Sequence, residues 1–239
     1  MKLGRPVNLK AAIIDLDGTM VDTLGDFEVA LNRTLADLDL PGVNRAWVAR
    51  TVGKGSEHLI RSVLSHQLAL PQVDACAGRN SEILYEPAWQ RYQHHYRSIN
   101  GQYAAVYPGV KEGLQQMQDM GLRLACLTNK PVAFARTLLE NKGLAPFFSC
   151  VFGGDSFERK KPDPLPLLKT CAQLDATPAQ TLMVGDSSND AQAAHAAGCP
   201  VILLRYGYNH GQPVDEVPAQ GHLDDLTQWP AWYLAQRCA

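Results

Sequence analysis

Short apolar runs recur along the chain, and a polar or glycine-rich turn follows each of them. Most of these runs are continuous rather than alternating, which is typical of strands covered on both faces of a parallel sheet. The predicted strands are Ala11–Leu16, Leu122–Leu127, Cys150–Phe152, Leu182–Val184 and Val201–Leu204. Helices are predicted between the later strands, at Val110–Met120, Pro131–Asn141, Asp163–Leu174 and Asp190–Ala197. This alternation predicts an α/β fold with a doubly wound, Rossmann-like parallel sheet.

The stretch after the first strand has a helical pattern and no convincing strand from about Asp22 to Asn100. Apolar residues at Leu24, Phe27, Leu31, Leu35 and Leu38 form a helical stripe, and further helices are predicted from about Arg45, Ser56 and Gln72. We therefore predict an α/β core formed by residues 1–20 and 101–239, with an all-helical insertion at residues 21–100. The segment Tyr107-Pro108-Gly109 is predicted to lie in the linker that returns to the core.

Composition narrows the possible partners. The formal net charge is −2 and no block of lysine and arginine stands out, which argues against binding to nucleic acid or to a membrane surface through bulk electrostatics. No apolar run reaches the roughly 18 residues of a membrane span, and no signal peptide is expected before Asp15. We expect a monomer or homodimer.

The cysteines indicate a reducing compartment. They are Cys76, Cys126, Cys150, Cys171, Cys199 and Cys238, without a C-x-x-C pair or zinc-ligand spacing. We therefore predict reduced thiols in a cytoplasmic protein.

Carboxylates follow two of the predicted strands at their carboxyl ends. Asp15 and Asp17 end the first strand before Gly18, and Asp186 follows the strand Leu182–Val184. Because ligands of open α/β sheets bind at this edge, the three side chains are predicted to meet there. Converging carboxylates repel one another unless a cation intervenes, and their hard oxygen atoms suit Mg²⁺. The alternative is a strand end with solvated aspartates. Asp190 either coordinates the ion or orients its ligands, or it is an acidic residue favoured by a helix N-terminus.

Two other strand ends carry candidate phosphate ligands. Thr128 and Asn129 offer a hydroxyl and an amide between a strand and a helix, where they bind an anion or serve as ordinary helix caps. Lys161 precedes Pro162, whose restricted backbone would hold the lysine in a fixed direction. Its alternative is a solvated surface lysine.

The motifs together resemble the haloacid dehalogenase superfamily. They are Asp15-Leu16-Asp17-Gly18-Thr19, Thr128-Asn129, Lys161-Pro162 and Gly185-Asp186-Ser187-Ser188-Asn189-Asp190, in that order. Within the superfamily the chain is similar to the bacterial phosphoglycolate phosphatases. Further matches are Val21-Asp22-Thr23, Val52-Gly53-Lys54-Gly55, Tyr107-Pro108-Gly109-Val110, Lys161-Pro162-Asp163-Pro164-Leu165-Pro166-Leu167 and Tyr206-Gly207-Tyr208-Asn209.

The resemblance implies a role for each motif residue. Asp15 is expected to be a nucleophile that becomes an aspartyl-phosphate, and Asp17 to protonate the leaving alcohol and then activate water. Thr128, Asn129 and Lys161 are expected to hold the phosphoryl group. Mg²⁺ is expected to be bound by Asp15, the backbone carbonyl of Asp17 and Asp186, with Asp190 in support. The helical insertion would be a mobile cap.

Substrate choice is predicted to depend on the cap. Arg50, Lys54 and Ser56 flank the glycines Gly53 and Gly55, and either cation would suit the carboxylate of a glycolate leaving group. The alternative is a turn between helices with solvated cations. The predicted reaction is hydrolysis of a small phosphorylated metabolite, foremost 2-phosphoglycolate. The alternatives are an amino-sugar phosphate phosphatase, a nucleotidase or a sugar phosphomutase, and, further off, a non-catalytic phosphate-binding protein.

Overall fold

The computed structural model describes residues 8–71, 73 and 80–237 of the chain. The strands are β1 Ala11–Ile14, β2 Val21–Asp22, β3 Ala105–Val106, β4 Arg123–Leu127, β5 Cys150–Phe152, β6 Thr181–Gly185, β7 Val201–Leu204 and β8 Gly221–Leu223. The α-helices are α1 Leu24–Ala36, α2 Arg45–Thr51, α3 Ser56–Leu68, α4 Ser81–Ile99, α5 Val110–Asp119, α6 Val132–Asn141, α7 Leu165–Gln173, α8 Ser188–Ala197 and α9 Trp229–Arg237.

Six strands form one parallel sheet in the order β5-β4-β1-β6-β7-β8. β1 is central, and its last residue Ile14 pairs with Cys126 of β4 and Val184 of β6. The next residues of these three strands therefore emerge side by side at one edge of the sheet. This confirms the predicted fold class.

Alternating side chains of β1 enter two separate cores. Ile14 packs with Leu114 of α5 and Leu138 of α6 on one face of the sheet, while Ile13 packs with Leu167 of α7 and Ala194 of α8 on the other. Because helices cover both faces, both sets of side chains are apolar, which explains the continuous runs in the sequence. Trp229 of α9 is fully buried in the first of these cores.

Helices α1 to α4 form a third apolar core, to which Phe134 and Tyr208 also belong. Leu31, Leu35, Ile60, Val63 and Tyr92 are among its buried members. The antiparallel pair β2 and β3 brings the two ends of this helical segment together. The helical insertion is thus present as a packed unit, and its limits at residues 21 and 100 stay a prediction.

Several local predictions differ from the structure. The region predicted to lack strands begins with part of β2, the return linker contains β3, and β8 was not predicted. β2 and β3 are two residues long, so their pairing rather than a periodic pattern defines them. The predicted helix start at Gln72 and the cysteines Cys76 and Cys238 lie outside the described residues. The other four cysteines are free thiols. Among the described helices, none has the length and apolar character needed to cross a membrane.

Candidate active site

Loops at the carboxyl ends of four neighbouring strands converge on one place. Asp15 follows β1, Thr128 follows β4, Asp186 follows β6, and Lys161 lies in the loop that follows β5. The parallel register of β1 with β4 and β6 makes this meeting geometrically necessary. Residues far apart in the sequence therefore share one polar centre.

Lys161 is the buried cation of this centre. Its Nζ lies 3.0 Å from Asp15 Oδ1 and 2.8 Å from Asp190 Oδ1, and it donates to the carbonyl of Leu127 at 2.8 Å. Burial by itself would lower the pKa of Lys161, but the charges of Asp15 and Asp190 outweigh it and raise that pKa. Lys161 is therefore a permanently charged group directed at Asp15.

Asp15, Asp186 and Asp190 form a compact acidic cluster. Each offers a carboxylate oxygen, and these three atoms lie within 4.8 Å of one another. Burial raises the pKa of Asp15 to about 7 against the opposing charge of Lys161, and burial also raises the pKa of Asp186, helped by its two acidic neighbours. A group of this kind is a candidate cation site.

Hydrogen bonds fix the orientation of two of these carboxylates. Asp186 accepts from the Thr19 hydroxyl at 2.7 Å and from the backbone N–H of Tyr208 at 2.6 Å. The Oδ2 of Asp190 accepts from the Ser187 hydroxyl at 2.7 Å, in a capping box at the start of α8. Asp190 thus contacts both Lys161 and the start of α8, and whether it also binds the ion directly stays a prediction.

The donor set and the charge balance both fit a divalent cation. Among the residues that the structure describes, the four carboxylates of Asp15, Asp17, Asp186 and Asp190 have ion pairs with two ammonium groups, those of Lys130 and Lys161, which leaves two negative charges uncompensated at full ionisation. Backbone also crowds the cluster, since a Cβ added to Gly18 or Gly207 would overlap the carboxylate of Asp186. Gly18 adopts a φ of 85°, which few other residues tolerate.

Asp17 lies apart from the acidic cluster and has a different partner. Both of its oxygens accept from Lys130 Nζ, at 2.7 and 2.9 Å, and Oδ1 also accepts from the Thr23 hydroxyl at 2.8 Å. Its side chain is not among the three clustered carboxylates, so the predicted contribution of its backbone carbonyl to metal binding stays a prediction. Asp15 and Asp17 nevertheless line the same cavity.

Lys130 was missed by the sequence analysis. It is 4% exposed, and its ammonium group lies 4.3 Å from the centroid of the Phe27 ring and 5.0 Å from that of Tyr96. The signal available was its position directly after Thr128-Asn129, which pointed only to a helix start. No sequence pattern linked Lys130 to the cap residues Phe27 and Tyr96, whose rings lie next to it.

A cavity lies between these core residues and the helices α1 and α3, with about 390 Å³ of empty space. Its lining is Asp15, Asp17, Phe27, Val52, Gly53, Gly55, Ser56, Leu59, Thr128, Asn129 and Lys130. The cap residues predicted from the sequence therefore fall into two groups. Gly53, Gly55 and Ser56 line the cavity, whereas Arg50 and Lys54 are exposed and do not.

Asparagine side chains tie the cap loop to the core. The carbonyl of Gly53 accepts from Asn129 Nδ2 at 3.0 Å and from Asn189 Nδ2 at 3.2 Å. The Asn129 amide also donates to the backbone carbonyl of Lys161 at 2.9 Å. The Asn129 side chain thus positions both the cap loop at Gly53 and the loop that carries Lys161. Thr128, at the end of β4, lines the same cavity.

Comparison with known proteins identifies the family. The family model for haloacid dehalogenase-like hydrolases matches residues 12–204, which include Asp15, Asp17, Thr128, Lys161 and Asp186. The chain belongs to the haloacid dehalogenase-like hydrolases.

Named relatives match over nearly the whole chain. A phosphoglycolate phosphatase of Cupriavidus necator is 41% identical over 96% of this chain and 95% of its own length, and one of Thiobacillus denitrificans is 38% identical over 93% and 95%. A crystal structure described as a predicted phosphoglycolate phosphatase from Haemophilus somnus is 31% identical, with a TM-score of 0.87, covering 94% of this chain and 97% of that one.

Proposed function

We propose that this hydrolase is a Mg²⁺-dependent phosphatase that converts 2-phosphoglycolate to glycolate and phosphate. The observation that carries the proposal is the division of labour between two aspartates in one cavity. Asp15 is paired with Lys161 beside the acidic cluster, and Asp17 is held separately by Lys130. A reaction with a nucleophile and a separate proton carrier needs such an arrangement.

Asp15 is the proposed nucleophile. Its carboxylate attacks phosphorus, the ester bond to the leaving alcohol breaks, and an aspartyl-phosphate forms. Lys161, 3.0 Å from Asp15 Oδ1, offsets the repulsion between the carboxylate and the phosphate dianion. Thr128 supplies a hydroxyl to the same cavity, and its oxygen accepts from the backbone N–H of Lys130 at 3.2 Å.

Asp17 is the proposed acid and base. In the first step it gives a proton to the leaving oxygen, and in the second it takes one from the water that cleaves the aspartyl-phosphate. Lys130 and Thr23 hold its carboxylate in place by direct hydrogen bonds. General acid–base help of this kind typically contributes about 10²- to 10⁴-fold to a rate.

Asp15, Asp186 and Asp190 are the residues that would hold Mg²⁺. The cation would offset the negative charge on the phosphoryl oxygens. Thr19 and the backbone of Tyr208 keep Asp186 oriented for ligation, and Ser187 does the same for Asp190. The uncompensated charge of the four carboxylates supports the assignment of a divalent ion.

The cavity supports a small substrate. Core and cap residues line it from both sides, so it encloses little free space. The names of the relatives point to 2-phosphoglycolate, and the apolar cap residues Phe27, Val52 and Leu59 leave little room for a nucleoside. A cytoplasmic location and a monomeric or dimeric state are part of the same proposal.

A panel of phosphate esters tests the assignment. Phosphate release is measured with and without Mg²⁺ on 2-phosphoglycolate, an amino-sugar phosphate, a nucleoside monophosphate and a hexose phosphate. The highest kcat/KM on 2-phosphoglycolate, dependent on Mg²⁺, is expected. A higher value on another ester reassigns the substrate, an isomerised hexose phosphate indicates a mutase, and no release from any ester contradicts a phosphatase.

A further inference from the structure

The buried cation Lys130 lies on the boundary between the core and the cap. It belongs to the core, between β4 and α6, and it lines the cavity together with Asp17 and Phe27. On the core side, its ammonium group donates to both carboxylate oxygens of Asp17, at 2.7 and 2.9 Å. On the cap side, two aromatic rings lie next to it. The position of this ammonium group therefore depends on both parts of the molecule.

Phe27 of α1 and Tyr96 of α4 supply the two rings. Lys130 Nζ lies over the Phe27 ring, 4.3 Å from its centroid, and 5.0 Å from the centroid of the Tyr96 ring. The two rings stack on each other with centroids 5.5 Å apart, and Phe134 of α6 packs edge-on against Tyr96 at 5.1 Å. Phe27 is 6% exposed and Tyr96 is 1% exposed. The rings are thus fixed by packing on several sides.

A ring face attracts a cation because its π electrons carry partial negative charge, and the attraction is strongest where water is excluded. Lys130 is almost fully buried, so solvent contributes little to the stability of its charge. The carboxylate of Asp17 and the two rings act on the ammonium group from opposite sides. The cap helices α1 and α4 therefore help to determine where Lys130 holds Asp17.

We infer that Phe27 and Tyr96 are positioning residues of the reaction, because their rings hold the Lys130 ammonium group against the acid and base Asp17. This inference rests on the proposed function. The rings belong to the cap, whereas Lys130 and Asp17 belong to the core. Asp17 is therefore held on all sides only while the cap lies on the core. In this role the rings act through Lys130 and not on the reacting atoms.

A poorly held Asp17 affects different substrates unequally. The alkoxide released from 2-phosphoglycolate is a poor leaving group, so its departure depends on a proton from Asp17. Acetyl phosphate is the matched comparison, because it is of similar size and its leaving group, acetate, departs without a proton. The value of kcat/KM covers the steps up to formation of the aspartyl-phosphate, in which Asp17 acts as the acid.

The test compares Phe27→Leu and Tyr96→Leu with the wild-type protein on these two compounds. Leucine keeps an apolar side chain and removes the ring. We expect kcat/KM for 2-phosphoglycolate to fall by about 5- to 30-fold, the range of a buried contact between a cation and a ring, and that for acetyl phosphate to change by less than about 3-fold. Tyr96 does not line the cavity, so a loss in Tyr96→Leu cannot come from an altered cavity wall.

Tyr96→Phe is the rescue variant, because it keeps the ring. It removes a buried hydroxyl for which the described residues offer no hydrogen-bond partner, so the thermal unfolding midpoint should stay the same or rise. The ratio of its two kcat/KM values should return close to that of the wild type.

Tyr85→Leu is the control on the same helix. The Tyr85 ring also lies beside a cation, with the guanidinium carbon of Arg61 at 4.0 Å from its centroid, but neither residue lines the cavity. This variant should match the wild type on both compounds.

Three outcomes would overturn the inference. Equal losses on both compounds in the two leucine variants, with lower unfolding midpoints, would assign the rings a packing role alone. Wild-type values in Tyr96→Leu would mean that its ring does not position Lys130. A loss in Tyr96→Phe as large as that in Tyr96→Leu would assign the effect to the hydroxyl. In each case a wild type active on 2-phosphoglycolate leaves the proposed function intact, whereas a wild type that releases phosphate from neither compound removes the proposed function and this inference with it.

Discussion

The two walls of the cavity are built on opposite principles. On the core side, the buried carboxylates are held by two ammonium groups, with Lys161 between Asp15 and Asp190 and with Lys130 on Asp17. On the cap side, the lining is mostly apolar, and Ser56 is its polar side chain. The core wall carries charge, and the cap wall offers mainly shape.

This difference separates chemistry from selection. A group that must react with any phosphate ester is best held in one orientation before the substrate arrives, and paired charges do this. A group that distinguishes one leaving group from another acts through contacts that one of them makes better than the other. We therefore expect core variants to lose activity on all esters, and cap variants to change the ratio between esters.

Asp15→Asn should give the largest effect. The amide is a poor nucleophile, so kcat should fall by at least about 10⁴-fold on every ester. Folding should survive, because the change removes one negative charge from a repelling cluster, and the thermal unfolding midpoint should stay the same or rise. Steady-state phosphate release and a thermal melt measure the two quantities.

The matched control for this variant is Asp119→Asn at the exposed end of α5. It should retain wild-type rates. Turnover by Asp15→Asn close to that of this control would refute the assignment of the nucleophile.

Lys130→Met should give the next largest effect, about 10²- to 10³-fold in kcat on all esters. The variant leaves the Asp17 carboxylate with the Thr23 hydroxyl but without its cation, so the acid and base is no longer held in place. Lys169→Met, at an exposed position of α7, is the control. A loss confined to 2-phosphoglycolate would mean that Lys130 acts in substrate selection, which would contradict the division of roles between the two walls.

Mg²⁺ should stabilise the folded protein through the core wall alone. At a concentration 100 times its dissociation constant, one bound ion adds about 2.7 kcal/mol to the free energy of unfolding. Asp186→Asn should reduce this gain, since Asp186 is one of the three clustered carboxylates. The measurement is the thermal midpoint with Mg²⁺ and with KCl at equal ionic strength. An equal gain in the variant would place the ion elsewhere.

The sequence predicted the core wall better than the cap wall for a physical reason. Continuous apolar runs such as Ala11–Ile14 identify strands covered on both faces, and parallel topology then forces their carboxyl ends together. The approach of Asp15, Asp186 and Lys161 follows from that topology. β8, β2 and β3 could not be predicted, because each strand is two or three residues long and is defined by its pairing with a distant segment.

Lys130 could not be predicted in the same way. Its surroundings depend on how the helical insertion packs on the core, and no periodic pattern records that packing. Phe27 and Tyr96, whose rings lie next to its ammonium group, belong to helices with an ordinary buried stripe. For the same reason the sequence left open whether Arg50 and Lys54 face the substrate or are solvated, because charge and neighbouring glycines do not determine the direction of a side chain.

The smallest effect is expected for Arg50→Ala and Lys54→Ala, singly or combined. Both side chains are exposed, and neither lines the cavity. Their charges act on the substrate only through solvent, so kcat/KM for 2-phosphoglycolate should fall by less than about 3-fold, and added salt should diminish even that loss. Ser56→Ala is the comparison, because it alters a residue inside the cavity within the same loop and helix start. A loss in the cation variants larger than in Ser56→Ala, and retained at high salt, would mean that the carboxylate is bound by charge rather than by hydroxyls. The cap wall would then bind its part of the substrate through charge, as the core wall does.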